Sequence, residues 1–244
     1  STPSSPIDTS EPEIPVKKTL PISDIFKKII DKFEKTKSHN INIMDISKKY
    51  NMQHRRVYDL FNLLASLHIC KNIERGKIAW VSLSEAVKTI EFEYSKIECE
   101  SIHKTTRQLF ELSQRPNLGM LGIKFLTLYL YFDVDTISLK TALALFNSSD
   151  LELKNDPKNI ERRFYLVLSM LEILGILVHM KRKGEYRLAI DLSYVHKNVL
   201  KRKHQYAIEN FPLSIERQLN NLDDVYFNAL IKARREELQK IARE

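Results

Sequence analysis

Apolar residues recur along this chain at spacings of three and four, in runs broken by short charged or glycine-containing stretches. Between Pro21 and Lys35, the positions Ile22, Ile25, Phe26, Ile29, Ile30 and Phe33 share one helical face, and Ser23 or Asp24 is placed to cap the start. Asn40 to Ile43 has the character of a short strand. Asp45 to Tyr50 predicts a short second helix ending at Asn51, a residue type that tolerates a left-handed turn. In the next helix Val57, Leu60, Phe61, Leu64 and Leu67 form the apolar stripe, and the opposite face opens with Arg55 and Arg56. Two short runs follow, Ile69 to Asn72 and Ile78 to Val81, separated by Glu74-Arg75-Gly76-Lys77, a connection that suits a hairpin.

Helix, turn, helix and basic hairpin, in that order, are the parts of a winged helix. There the last helix enters a DNA major groove and the hairpin follows the phosphates. The predicted base-reading residues are Arg55, Arg56, Tyr58 and Asn62. An arginine can bond bidentately to guanine O6 and N7, with about 1–3 kcal/mol of discrimination per pair. Asp59, one turn after Arg55, is placed to hold that guanidinium by an i,i+4 ion pair. His54 and the wing residues Lys71, Arg75 and Lys77 are expected on phosphates. Charge supports this placement: of the net +8, residues 19–82 hold +6, with 12 Lys and Arg against 6 Asp and Glu.

The stretch Arg55-Arg56-Val57-Tyr58-Asp59, with INIMDISKKYNMQH before it and the hairpin after it, resembles the winged-helix domain of the E-two-F/DP family. These are the cell-cycle transcription factors named for the adenoviral E-two promoter, together with their dimerisation partners. Their hallmark is Arg-Arg-x-Tyr-Asp at the start of the recognition helix. The resemblance implies a nuclear, sequence-specific DNA-binding protein. His54 stands where family members carry a third arginine, so that contact is expected to differ.

The hallmark returns further along. Arg162 and Arg163 stand 107 residues after Arg55 and Arg56. Tyr165, Leu171, Leu174, Ile176 and Arg182 repeat Tyr58, Leu64, Leu67, Ile69 and Arg75 at the same shift. The preceding segment supplies a long helix, a strand near Ile137 and a second helix; Asp156 and Pro157 begin the next one and Gly175 suits its end. This is the pattern of a second winged helix, and the pair resembles atypical E-two-F proteins, which carry two such domains in one chain and need no separate dimerisation partner. Arg162, Arg163, Tyr165, Lys181, Arg182 and Lys183 are its candidate DNA site. Leu166 replaces the hallmark aspartate and Glu161 stands at the position of His54, so this copy is expected to bind more weakly or to serve as a packing and partner surface.

Between the copies, Ala86, Val87, Ile90, Tyr94, Ile97 and Ile102 make a helical stripe, although Ile90, Phe92 and Tyr94 also alternate as a strand would. Glu91, Glu93, Glu98 and Glu100 argue against DNA contact there. A coiled coil follows the winged helix in dimeric family members, so the stretch is also a candidate partner surface. After Asp191 the chain reads as helices. Lys201-Arg202-Lys203-His204 is open as a nuclear-import signal, a phosphate patch or a solvated face. Leu219, Leu222, Tyr226, Ala229, Ala233, Leu238 and Ile241 mark an amphipathic helix that either closes over the second domain or joins a partner. Ser1 to Lys18, with four prolines among Ser, Thr and Glu, reads as a disordered arm, in which Thr2 and Ser5 precede prolines.

The expected fold is therefore mainly α with small β wings: two tandem winged-helix (helix-turn-helix) domains joined by a helical linker, plus a C-terminal helical segment. The divisions are 1–18, 19–82, 83–117, 118–190 and 191–244. Chemistry narrows the function further. There is no phosphate-cradling glycine loop, HExxH or serine elbow, so no enzyme, cofactor or small-molecule substrate is expected. Cys70 and Cys99 form no metal or disulfide pattern, and no apolar run approaches the roughly 18 residues of a membrane span. Two functions remain: a sequence-specific transcription regulator on double-stranded DNA, and a non-catalytic DNA-binding or scaffolding subunit of a larger DNA-modifying, chromatin or transcription complex.

Overall fold

The first helix, α1 (Ile22–Thr36), buries Ile25, Phe26, Ile29, Ile30 and Phe33, the predicted stripe without Ile22, which lies exposed at the N-terminal end. Ser23 and Asp24 do not cap it. Pro21 takes the N-cap position with no side-chain hydrogen bond, which leaves Asp24 in the first turn beside the positive end of the helix dipole. This computed structural model describes residues 21–112, 116–146, 157–210 and 223–243. The expected arm over 1–18, Asp156, Leu219 and Leu222 lie outside the described residues.

β1 (Ile41–Asn42) leads into α2 (Ile43–Lys49), which starts two residues earlier than its apolar pattern implied because the Asn42 side chain accepts the Met44 N–H at 2.9 Å. Asn51 is left-handed as expected (φ 49°), and α3 (His54–Ser66) follows. β2 (Cys70–Glu74) and β3 (Lys77–Trp80) form the wing, turning at Gly76 with φ 78°. β3 lies between β1 and β2, antiparallel to both. Phe33 packs between Phe61 and Trp80 at ring-centroid separations of 6.5 and 6.0 Å, which joins α1, α3 and the wing in one core. Glu34 accepts the Trp80 indole N–H at 2.8 Å and the Leu83 N–H at 3.0 Å, tying the exit of the sheet to α1.

The linker is helical. α4 (Glu85–Glu100) buries Ala86, Ile90 and Tyr94 and exposes Phe92, so the helical stripe prevails over the strand-like alternation. The short α5 (Thr106–Phe110) begins with a capping box between Thr105 and Gln108. The order of the first unit then recurs in α6 (Leu118–Phe132), β4 (Thr136–Ser138), α7 (Leu139–Phe146), α8 (Pro157–Ile173), β5 (Leu177–His179) and β6 (Glu185–Leu188). Its strand order, β4-β6-β5, repeats β1-β3-β2. Gly175, with φ 71°, closes α8 through its N–H to the Glu172 carbonyl.

α6 is apolar nearly all round because it is covered nearly all round: it touches α3, α4, α8, α9 (Ser193–Asn210) and α10 (Asp223–Arg243). The linker helix, also a candidate partner surface, and the C-terminal helix, left open between closing over the second unit and joining a partner, both pack within the chain. α4 lies on α6 and α9, and α10 on α6 and α7. Their junction is polar. Glu98 of α4, fully buried, accepts two hydrogen bonds from Arg234 of α10 at 2.6 and 2.8 Å and one from Lys203 of α9 at 3.1 Å. Arg234 also donates to the Tyr131 carbonyl of α6 and lies 3.8 Å over the Tyr131 ring. Arg202 pairs with Glu91 at 2.7 Å, so the central pair of the Lys201–His204 run holds α9 against α4.

Candidate nucleic-acid interface

α3 presents its charged end outward because its other sides are fully committed. Val57, Leu60, Leu64 and Leu67 are completely buried and Phe61 nearly so. Burial of such side chains contributes about 1.5–3 kcal/mol each, which fixes the helix against α1 and α2. His54, Arg55 and Arg56 then project from the first turn, all exposed, and Asn62 is exposed two turns further on. The N-cap, Gln53, makes no side-chain cap and the first turn contains no acidic residue, so the end of the helix is electropositive.

Asp59 does not brace Arg55. Its Oδ2 lies 3.9 Å from Nη1 of Arg56, an i,i+3 pair. Side chains on a helix lean towards its N-terminus, so both i−3 and i−4 are within reach, and here the i−3 partner is met. At that distance, with Arg56 nearly half exposed, the pair orients more than it stabilises. Tyr58 is half-buried beneath the wing. Its hydroxyl comes within 3.3 Å of the point where a side chain on Gly76 would begin. The wing thus rests on α3 through a tyrosine and a glycine.

On the wing, Lys71 and Arg75 are exposed, while Lys77 is half-exposed and paired with Glu74 across the turn at 2.9 Å. Cys70, the first residue of β2, is buried, and burial pushes its thiol up to about 12. Ile43, Tyr58, Phe61, Asn62, Asn72 and Arg75 surround an open hollow between α3 and the wing.

In the second unit Arg162, Tyr165, Lys181, Arg182 and Lys183 are exposed, Arg163 is half-buried, and Arg182 pairs with Glu185 at 3.1 Å. The two sets of residues approach one another. Asp59, Asn62 and Asn72 of the first unit line the same cleft as Arg163 of the second, a space of about 530 Å3. The contact between units is reciprocal, since α3 touches α6 and α8 touches α1. Because α6 and α8 hold the places in the second unit that α1 and α3 hold in the first, the pairing has the form of a two-fold interface within one chain.

One buried position escaped the periodicity. Leu63 lies off the predicted stripe yet is fully buried, because α6 covers it. The available signal was Gly119 and Gly122 in an otherwise bulky, apolar helix, which marks a close approach by another element.

Residues 22–82 match the family model for the E-two-F/DP family winged-helix DNA-binding domain. The first unit is an E-two-F/DP winged-helix domain. Its bounds coincide with α1 through the residue after Val81, and Arg55-Arg56-Val57-Tyr58-Asp59 falls at the start of α3. No curated protein matches the chain. Among the described residues no helix is long and apolar enough to cross a membrane, and no group of His, Cys, Asp and Glu side chains is placed to hold a metal ion.

Proposed function

We propose that this protein is a nuclear, sequence-specific regulator of transcription that reads double-stranded DNA through the recognition helix of its E-two-F/DP domain. The observation that carries the proposal is the exposed guanidinium pair, Arg55 and Arg56, on an electropositive helix end whose opposite face is locked in the core. In this reading the two arginines and Asn62 meet base edges in the major groove, Asp59 steadies Arg56, and Tyr58 sets the height of the wing. His54, Lys71, Arg75 and Lys77 meet phosphates. Residues 118–190 act as a second winged helix on the same duplex, with Arg162, Arg163, Tyr165 and the Lys181-Arg182-Lys183 wing as its contacts. The repeated strand order and the reciprocal α3–α6 and α8–α1 contacts support this assignment.

Selection of bound sequences from a random duplex library tests the proposal. An enriched motif is expected, and Arg55→Ala and Arg56→Ala each lose about 1–3 kcal/mol on that motif with a much smaller loss on random DNA. Equal losses on both would favour the second reading, a non-catalytic DNA-binding subunit of a larger complex. For that reading the supporting observation is Phe92, a large aromatic ring left exposed on α4.

A further inference from the structure

Two glycines of α6 lie where the two units meet. A Cβ on Gly119 of α6 would lie 1.8 Å from Oγ and 2.2 Å from Cβ of Ser66 at the end of α3. One turn on, a Cβ on Gly122 would lie 3.0 Å from Leu63 of α3 and 3.2 Å from Val167 of α8. Both recognition helices therefore rest against one short stretch of α6 backbone. Neither glycine has a positive φ, so neither is required by its own backbone conformation. Alanine is the better helix former by about 0.8–1.0 kcal/mol, and proximity to α3 and α8 is the physical reason for glycine.

We propose that Gly119 and Gly122, with Ser66 and Leu63 against them, set the spacing between the bases read by the two units, and so are positioning residues for sequence specificity. The inference rests on the proposal that both units engage one duplex. A chain with a loose linker would accept its two half-elements at several separations. Here Leu63 is fully buried under α6, and Arg163 of one unit shares a cleft with Asp59 and Asn62 of the other. The two reading surfaces are thus held edge to edge. Base pairs rise about 3.4 Å each, so a shift of α3 against α6 by a fraction of that distance changes the register in which the second helix meets its bases.

The test uses the full chain and the motif enriched from the random library, with one or two base pairs inserted between its half-elements. The wild-type protein is expected to lose about tenfold in affinity on a single insertion, comparable with one mismatched base pair. Gly119→Ala drives Ser66 aside, so its preference is expected to broaden or move to another spacing. Gly119→Ala combined with Ser66→Gly removes both clashing atoms and is expected to restore the wild-type profile; a loss of stability alone would lower affinity at every spacing alike and leave the preference among spacings unchanged. Leu63→Ala opens the same contact without overpacking and serves if Gly119→Ala does not fold. An unchanged spacing profile in folded Gly119→Ala or Leu63→Ala, or a changed profile that the Ser66→Gly partner fails to correct, would overturn the proposal. Failure of the underlying reading looks different: no motif is enriched, or Arg162→Ala leaves affinity and footprint unaltered.

Discussion

Glu98 is the side chain whose setting departs furthest from what its sequence neighbourhood implies. With Glu91, Glu93 and Glu100 it argued only against DNA contact on this stretch, yet it is the buried acceptor for Arg234 and Lys203. Nothing local announces this, because its partners lie more than a hundred residues away and sequence spacing carries no information about them. Burial alone would raise its pKa, but the two hydrogen bonds and the charge of Arg234, with Lys203 beyond, outweigh burial and hold it at about 2, against an ordinary 4.5. A carboxyl depressed in the folded state stabilises fully above the unfolded value, and that stability is lost as pH falls from about 4.5 towards 2. Glu98→Gln, which leaves Arg234 buried without its counter-charge, is expected to cost about 3–5 kcal/mol at pH 7. The acid-induced loss of stability in that interval should shrink with it. Urea midpoints at pH 7 and pH 3 check both, and a variant with an unaltered difference between the two would refute the assigned role. Arg55, Arg56 and Asn62, by contrast, stand exposed where periodicity placed them, because a stripe strong enough to orient α3 also dictates which residues face away from the core.

Elements whose signals are local were legible. The helices α1 and α3 follow from apolar spacing, the left-handed Asn51 from its type, and the wing from a glycine between two apolar runs. Starting points were less so: α2 begins at Ile43 because its N-cap, Asn42, makes a side-chain hydrogen bond that no hydrophobic pattern encodes. The wing has a testable internal logic. Gly76 adopts φ 78° directly over the Tyr58 hydroxyl, so Gly76→Ala adds left-handed strain of about 1–2 kcal/mol and crowds that contact. Stability and DNA affinity are expected to fall together, seen as a lower unfolding midpoint and a faster dissociation rate. Exposed Lys71 and Arg75 should each remove about one unit from the slope of log affinity against log salt when replaced by alanine. Lys77→Ala should remove less, since Glu74 already neutralises that ammonium. Equal slopes for all three variants would show that the Glu74 pair does not persist on DNA.

For the whole molecule, the repeat at a shift of 107 residues revealed the second unit, while the way the two units meet was legible only in the isolated glycines of α6. Their pairing is two-fold in form but unequal in charge, since residues 19–82 hold +6 of the net +8 and residues 118–190 hold +2. Within the second unit, Leu166 leaves Arg162 and Arg163 without the carboxylate that Asp59 supplies to Arg56, and Arg182 on its wing is turned towards Glu185. On the proposed two-unit reading, both differences weaken contact with DNA while leaving the helix in place, because Phe164, Val167, Leu168 and Leu171 of α8 are as deeply buried as their counterparts in α3. Affinity should therefore depend mainly on the first unit and the length of the occupied site on both. Arg162→Ala is expected to weaken binding to the selected motif by less than Arg55→Ala does, and to shorten the protected footprint at one end only. Arg55→Ala lowers occupancy along the whole footprint, since the first unit anchors the second. Footprinting at protein concentrations adjusted to equal total occupancy separates the two effects. A footprint that shortens at neither end would leave the second unit as a scaffold for the first.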